Sequence, residues 1–457
     1  MTDREYLKDL RGMIAARKAT VGVFGAGYVG LPLACAFAGA GFTTIACDTE
    51  NRKVDAIRQG ISYVEDQYVV GSLPRLVNSG ILSAESDPIR VASVADFHII
   101  TLPTPLNETG EPDLSYVTGL AETIAGEIRP GVFVILESSV YPGTTEEILK
   151  PILERSGLKA GQHFGLAHSP ERISPGSKRF DIRTTAKVVG GVTPECTQIA
   201  AELYASVLSA PIVPVSDART AESVKMLENT YRYVNIALVD ELAILHEQLG
   251  IDLFEVIAAA STKPFGFQAF YPGPGVGGHC IPKDPHYLSF RAHQVGQRLK
   301  LVEASQEVIK GMTHHIIRRL SDRLSGRAKV IRGSNVVLLG LAFKEEVSDT
   351  RNSPSIALAE RLEELGATVR AYDPFVESIS TRRGTLRSTK SLELAVKDAD
   401  ILVLVTAHAL YRAIDLKELA SKTRAGATIV DLRGFWSPQE CKSAGFDYLG
   451  LGRPDCD

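Results

Sequence analysis

Chemistry is most concentrated in PGPGVGGHCIPKD, Pro272 to Asp284, where Cys280 follows a run of glycines and precedes a Lys-Asp pair. Glycines let a backbone approach a ligand closely, so the stretch reads as a loop shaped around something, and one reading makes Cys280 a reactive sulfur in that bed. The alternative is a small cysteine that only packs, since free cysteine is among the most buried residue types. Two donors stand elsewhere: Lys225 and Asn229, four residues apart in TAESVKMLENTYRYVNIALVDELAILHEQLG (Thr220 to Gly250), share one face of a helix. Carboxylates complete the set, with Asp284 four residues past Cys280 and Glu171 in HSPERISPG. Lys344 and Arg351 in AFKEEVSDTR, and Arg433 in DLRGFW, either meet a pyrophosphate or are solvated surface charges.

The elements that must position these residues begin with TVGVFGAGYVGLPLACAFAGAGFTTIACD, Thr20 to Asp48. An apolar strand runs into Gly25, Gly27, Tyr28, Val29 and Gly30, then an alanine- and leucine-rich helix, then a second strand ending at Asp48. Here GxGxxG has its full context: a tight turn, close approach to a pyrophosphate, and a helix N-terminus whose amides face the phosphates. Asp48 is placed to bond a ribose 2′-hydroxyl, which favours NAD over NADP; Arg52 leaves a route to a 2′-phosphate open. ADFHIITLPTP, containing Thr104, and GVFVILESSVYPGT, containing Ser139, carry two further strands into loops of the kind that bind ligands at the carboxyl ends of parallel strands. The order recurs in NVVLLGLAFK, ATVRAYDP, DADILVLVTAHA and GATIVDLRG, which match the first half element for element. Only Gly340 stands in the first turn of that half, which argues against a second NAD and for another nucleotide. From Ser216 to Leu320 the chain is helical, and Thr220 to Gly250 reads as one long helix without proline. His314 and His315 are expected on a solvated face. The fold class is therefore α/β: two doubly wound Rossmann-like domains joined by a central helical region. The boundaries are 1–215 for the NAD-binding domain, 216–320 for the helical domain and 321–457 for the C-terminal domain.

At 457 residues, 44% hydrophobic and 23% charged, with a formal net charge of -4, the chain is that of an ordinary globular protein. The charge argues against wholesale binding to nucleic acid or acidic membranes, so an anionic ligand must be held by particular residues. Cys35, Cys47, Cys196, Cys280, Cys441 and Cys456 are scattered without metal-ligand spacing and read as reduced thiols; no metal is expected. The charged N-terminus lacks a signal-peptide core and no run approaches membrane-span length, so a cytoplasmic protein is expected.

GAGYVGLPLA, SPER, ESVKMLENT, GPGVGGHCIPKDP and AFKEEVSDTR, in this order, make the chain resemble the UDP-glucose/GDP-mannose dehydrogenase family along essentially its whole length. The resemblance implies oxidation of the carbon-6 alcohol of a nucleotide sugar to a carboxylate with two NAD per turnover, and makes Cys280 the nucleophile. It implies that Lys225 and Asn229 steady an oxyanion and order a water, that Asp284 helps activate that water or position the lysine, and that Glu171 does acid–base work. It places Ser139 where many relatives carry threonine. Where the UDP-glucose branch has a second glutamate, this chain has Pro175, so the water-activating residue stays open. Lys344 and Arg351 join the cofactor-binding set, and Arg172, Tyr271, Gly275, Gly278, His279, Phe343, Lys344 and Arg433 the substrate-binding set. GPGVGGHCIPKDPHYL, with His279, Asp284, Pro285 and Tyr287, resembles the branch acting on UDP-N-acetylhexosamines, and SPERISPG favours UDP-N-acetylglucosamine over its manno epimer. His279 either meets the acetamido group or bonds its own loop. A homodimer or higher assembly through the long helix is implied. Competing readings are a UDP-glucose or UDP-N-acetylmannosamine enzyme, a two-electron hydroxyacid dehydrogenase, which has no need of Cys280, and a non-catalytic NAD sensor, which has no need of Lys225 or Asn229.

Overall fold

The apolar run Val21–Phe24 forms a strand buried on both faces, the mark of a parallel sheet covered on each side. The computed structural model describes residues 5–172 and 182–455; Pro175 and Cys456 fall outside them. The first sheet contains β1 (Thr20–Phe24), β2 (Thr43–Cys47), β3 (Leu82–Glu85), β4 (Phe97–Ile100), β5 (Phe133–Leu136), β6 (Gly165–His168), β7 (Lys187–Gly191) and β8 (Ile212–Pro214). Its order is β3-β2-β1-β4-β5-β6-β7-β8, a six-stranded dinucleotide-binding order extended by two strands, of which β7 runs antiparallel to β6. Separate apolar clusters cover its two faces, one around Leu31, Phe37 and Tyr204, the other around Phe24, Leu136 and Phe164.

The second sheet is built from β9 (Asn335–Leu339), β10 (Thr368–Tyr372), β13 (Ile401–Leu404), β14 (Thr428–Asp431) and β15 (Asp447–Gly450), all parallel, in the order β10-β9-β13-β14-β15. This corrects the expected element-for-element match with the first half. After β10 the chain turns into a hairpin, β11 (Ser378–Thr381) with β12 (Gly384–Arg387), where the first sheet adds β3. The order is thus the flavodoxin-like doubly wound one, whose switch point lies between β9 and β13.

Helices Ala218–Leu249, Leu253–Ala260, Asp284–Gln294 and Lys300–Ser325 make up the helical region. The first is 32 residues long, and Asp217 starts it by accepting from Thr220 N at 2.8 Å. The chain divides into two units, Met1–Glu228 with His286–Gln297 and Asn229–Pro285 with Arg298–Asp457, and the division falls inside this helix. His314 is exposed as expected, but His315 is buried with Nε2 2.7 Å from Glu247 Oε2. Successive helical residues are about 100° apart, so one of two neighbours can face solvent while the other meets the packed side.

Candidate active site

In the first unit the GxGxxG turn links β1 to helix Gly30–Gly39, with Val29 at its N-cap. Gly25 has φ +98°, and a Cβ on Gly30 would lie 1.8 Å from Gly25 O, so the helix packs too closely for any other residue. Among the described residues, a Cβ on Gly27 would meet nothing within 4 Å, which leaves the backbone open to a close ligand. Asp48, just past β2, accepts from Ala26 N and Glu50 N, each at 3.0 Å. A cleft of about 500 Å³ is lined by Gly27, Tyr28, Arg52, Lys53, Ala56, Tyr63 and Val64. Arg52 turns its guanidinium to Glu50 at 3.0 Å, and Lys53 reaches Asp48 at 3.4 Å and Glu50 at 2.9 Å. An open glycine edge, a helix N-terminus and a carboxylate at the second strand end fit a dinucleotide.

Loops at the ends of β4, β5 and β6 in the same unit are tied to one another. Thr104 Oγ1 donates to Ser139 O at 2.7 Å, and Tyr287 Oη to Thr104 O at 2.6 Å. Glu222, on the long helix, accepts from Gly143 N at 2.6 Å, Thr145 N at 2.8 Å and Thr145 Oγ1 at 2.7 Å, holding the loop after β5 one turn before Lys225. Lys225 and Glu171 are both buried, with Nζ 3.9 Å from Oε2. His168, at the end of β6, is pushed down to about 3 by burial and by the charges of Lys187 and Lys225, so its ring is neutral beside the lysine. Arg172 forks onto Glu228 and donates to Ala186 O at 2.8 Å.

In the second unit Cys280 is half-buried, with Sγ 3.7 Å from His279 Nδ1. Its carbonyl accepts from Lys283 N at 3.0 Å and Asp284 N at 2.8 Å, curling the chain into helix Asp284–Gln294. Asp284 is fully buried; Oδ2 accepts from Asn229 Nδ2 at 2.6 Å, and Oδ1 has no hydrogen-bond partner among the described residues and lies 3.7 Å from Lys283 Nζ. The glycine run is pressed against the second sheet. A Cβ on Gly277 would lie 2.6 Å from Phe343 Cβ and 2.9 Å from Asn352 O, and Gly278, at φ +88°, faces the Phe343 ring. Gly275, at φ +132°, lies in the same run. Gly273 N donates to Asp240 Oδ1 at 2.9 Å, and Arg433, at the end of β14, donates through Nε to Val405 O at 2.8 Å. Lys344 follows Phe343 in the loop after β9, while Arg351 is gripped by Asp349 at 2.6 Å in that loop. Tyr271 is exposed and stacks on Phe254 with centroids 6.1 Å apart.

Three family models match the chain: the UDP-glucose/GDP-mannose dehydrogenase family NAD binding domain over residues 19–208, its central domain over 219–310 and its UDP binding domain over 337–438. The chain belongs to the UDP-glucose/GDP-mannose dehydrogenase family. A UDP-N-acetyl-D-mannosamine dehydrogenase of Pyrococcus horikoshii is 32% identical over 95% of this chain and 99% of its own length. A UDP-N-acetyl-D-glucosamine 6-dehydrogenase of Pseudomonas aeruginosa is 37% identical over 78% of this chain and 83% of its own. A solved UDP-D-ManNAc dehydrogenase structure from Pyrococcus horikoshii superposes with a TM-score of 0.88 at 32% identity, covering 96% of this chain and 100% of that one. This member of the UDP-glucose/GDP-mannose dehydrogenase family is an NAD-dependent nucleotide-sugar dehydrogenase whose substrate is a UDP-sugar. Among the described residues, no helix is long and apolar enough to cross a membrane, and no three His, Cys, Asp or Glu side chains are grouped to hold a metal.

Sequence reasoning missed several residues of this family member's candidate site. Glu222 precedes Lys225 by three positions, a helical spacing that puts both on one side and was available as a signal. Asp240 and Asn352 gave none, because their partners lie 33 and 74 residues away. His408 gave none either: it is buried, bonds Asp373 Oδ2 at 3.1 Å through Nε2, and accepts from Glu346 N at 3.1 Å through Nδ1.

Proposed function

We propose that this enzyme oxidises carbon 6 of a UDP-N-acetylhexosamine, UDP-N-acetylglucosamine in the first place, to the uronic acid in a four-electron reaction through a thiohemiacetal and a thioester on Cys280. The observation that carries the reading is the Asn229–Asp284 bond of 2.6 Å in the segment where Asp284 N also bonds the Cys280 carbonyl. Asp284 thereby ties the Cys280 backbone to an amide donor of the long helix.

NAD, held by Gly25 to Gly30 with Tyr28, Asp48, Arg52, Thr104 and Ser139, supplies the hydride acceptor for both oxidations. The Cys280 sulfur adds to the carbon-6 aldehyde: a carbon–sulfur bond forms, the carbonyl pair moves to oxygen, and the carbon again bears a removable hydrogen. The second oxidation leaves a thioester; water adds to its carbonyl and expels the thiolate, releasing the carboxylate. Lys225 and Asn229 donate where the oxyanion develops. Asp284 orients Asn229 through Oδ2 and offers Oδ1, a buried acceptor with no hydrogen-bond partner among the described residues, to the hydrolytic water. Glu171 is the second acid–base group, partnered by Lys225. Phe343, Lys344, Arg351 and Arg433 take the nucleotide, and Arg172, Tyr271, Gly275, Gly278 and His279 serve the sugar. Asp284, Pro285 and Tyr287 after GGHC, together with the names of the relatives, support the N-acetylhexosamine branch.

The division into 1–215, 216–320 and 321–457 accompanies this reading, as do action in the cytoplasm and a homodimer or larger assembly. Leu227, Tyr231, Leu238, Leu245 and Leu249, all exposed on the long helix, support the assembly. The test is NADH release across UDP-glucose, UDP-N-acetylglucosamine, UDP-N-acetylgalactosamine, UDP-N-acetylmannosamine and GDP-mannose. Two NADH per sugar with UDP-N-acetylglucosamine turned over best is expected. One NADH per sugar would remove the thioester route, best turnover with UDP-glucose or GDP-mannose would overturn the branch, and best turnover with another N-acetylhexosamine would change only the epimer.

A further inference from the structure

The peptide two residues before Cys280 is held on both sides by consecutive residues of the loop after β9. Gly278 N donates to Arg351 O at 2.8 Å, and Gly278 O accepts from Asn352 Nδ2 at 2.9 Å. Asn352 does this from a left-handed backbone, φ +52°, which asparagine tolerates better than most residues but which its surroundings must hold. Ser353 follows at once and caps helix Pro354–Glu364, so the clamp stands on a fixed helix start. Phe343, from the beginning of the same loop, occupies the space that a side chain on Gly277 would need, and Phe343 N donates to Asp349 O at 3.0 Å to close the loop. Lys344 and Arg351 belong to that loop too. A ligand that orders it therefore also orders the backbone leading to the sulfur, since His279 alone separates the clamped Gly278 from Cys280.

We propose that Asn352 is a positioning residue that couples occupancy of the nucleotide loop to the placement of Cys280, so that binding energy from the unreactive end of the substrate aligns the nucleophile. This rests on the reading of the loop after β9 as the UDP site and of Cys280 as the nucleophile.

The test uses the full-length protein, UDP as the probe and iodoacetamide alkylation of Cys280 followed by mass spectrometry of its peptide; Cys35, Cys47, Cys196 and Cys441 are buried. Saturating UDP should change the alkylation rate of the native protein by roughly threefold to tenfold, the worth of one neutral hydrogen bond. Asn352→Gly keeps the left-handed backbone without the donor, and Asn352→Asp keeps the size but sets an acceptor against the carbonyl. Both variants should melt cooperatively and bind UDP within about twofold of the native protein by calorimetry. Both should lose the UDP effect on alkylation and lower kcat by roughly threefold to tenfold with KM little changed. Native coupling and native kcat in both variants would overturn the proposal, as would UDP binding that leaves native alkylation unchanged. Failure of UDP to bind the native protein would overturn the site reading and the proposal with it.

Discussion

Asp240 and Glu222 are carboxyls whose burial sets a pH cost on the native state. Burial pushes Asp240 up to about 7, although Gly273 N and the charge of Arg433 pull the other way. Burial likewise lifts Glu222 to about 7 against the Thr145 and Gly143 donors. Unfolded, both lose their protons near pH 4, so between about 4 and 7 the native state binds more protons than the unfolded one. Stability then falls as pH rises through that window, by up to about 1.4 kcal/mol per pH unit for each group, and levels off above it. Asp240→Asn should remove its share of that slope; urea denaturation at pH 5 and pH 8 checks this, and an unchanged slope would count against it. On the proposed thioester route, Cys280→Ala should abolish uronic acid formation while calorimetry finds UDP and NAD binding intact, because that route gives the sulfur a covalent step and no part in holding either nucleotide. Asp48→Ala should raise KM for NAD by roughly tenfold to a hundredfold, the worth of a charged hydrogen bond, and narrow the preference over NADP. The GxGxxG turn was legible because it belongs to a short local pattern. His315 was misread, and Asp240 and Asn352 missed, because their roles depend on partners brought together only by the fold.

At the scale of elements, the glycine run, the long helix and the two sheets are the units that matter. The run has no room for a methyl group at Gly277, since the nearest atoms belong to Phe343 and to the Asn352 backbone. Gly277→Ala should therefore displace the Cys280 segment and lower kcat/KM by roughly tenfold to a hundredfold, with UDP-protected and unprotected alkylation of Cys280 as an independent measure. The long helix was read from its periodicity almost to its ends: Thr220 to Gly250 was expected, Ala218–Leu249 is present. Helical periodicity is a local property, so the sequence displays it. Sheet order is not local, and the second sheet's order was hidden because strands matching β9, β10, β13 and β14 read alike whether or not a further strand is added beyond β10. The β11–β12 hairpin that takes that place is short and polar, with little apolar pattern to announce it.

For the whole molecule, the proposed self-association rests on the exposed apolar residues of the long helix. Tyr231, Leu238 and Leu245 recur every seven residues, with Leu227 and Leu249 beside them, a spacing that keeps one stripe facing a partner. Light scattering at micromolar concentration should find a dimer or larger species, and Leu238→Glu with Leu245→Glu should shift it toward monomer; a native monomer would sink the assembly. The two sheets also differ in how they use the acid at the end of the second strand. Asp48 accepts from two nearby amides beside an open cleft, whereas Asp373 is buried, accepts from Leu341, Ala342, Phe375 and Val376 amides, and meets His408. Burial would raise Asp373, but the His408 imidazole and these amides hold its carboxyl below the usual range. An engineer seeking to graft a second dinucleotide site onto the C-terminal half would thus find the ribose-reading carboxylate already committed to its own loop. Adding glycines after β9 would not release it. The NAD binding domain lies at 19–208, and at the other end of the chain the matching carboxylate is spent on its own loop.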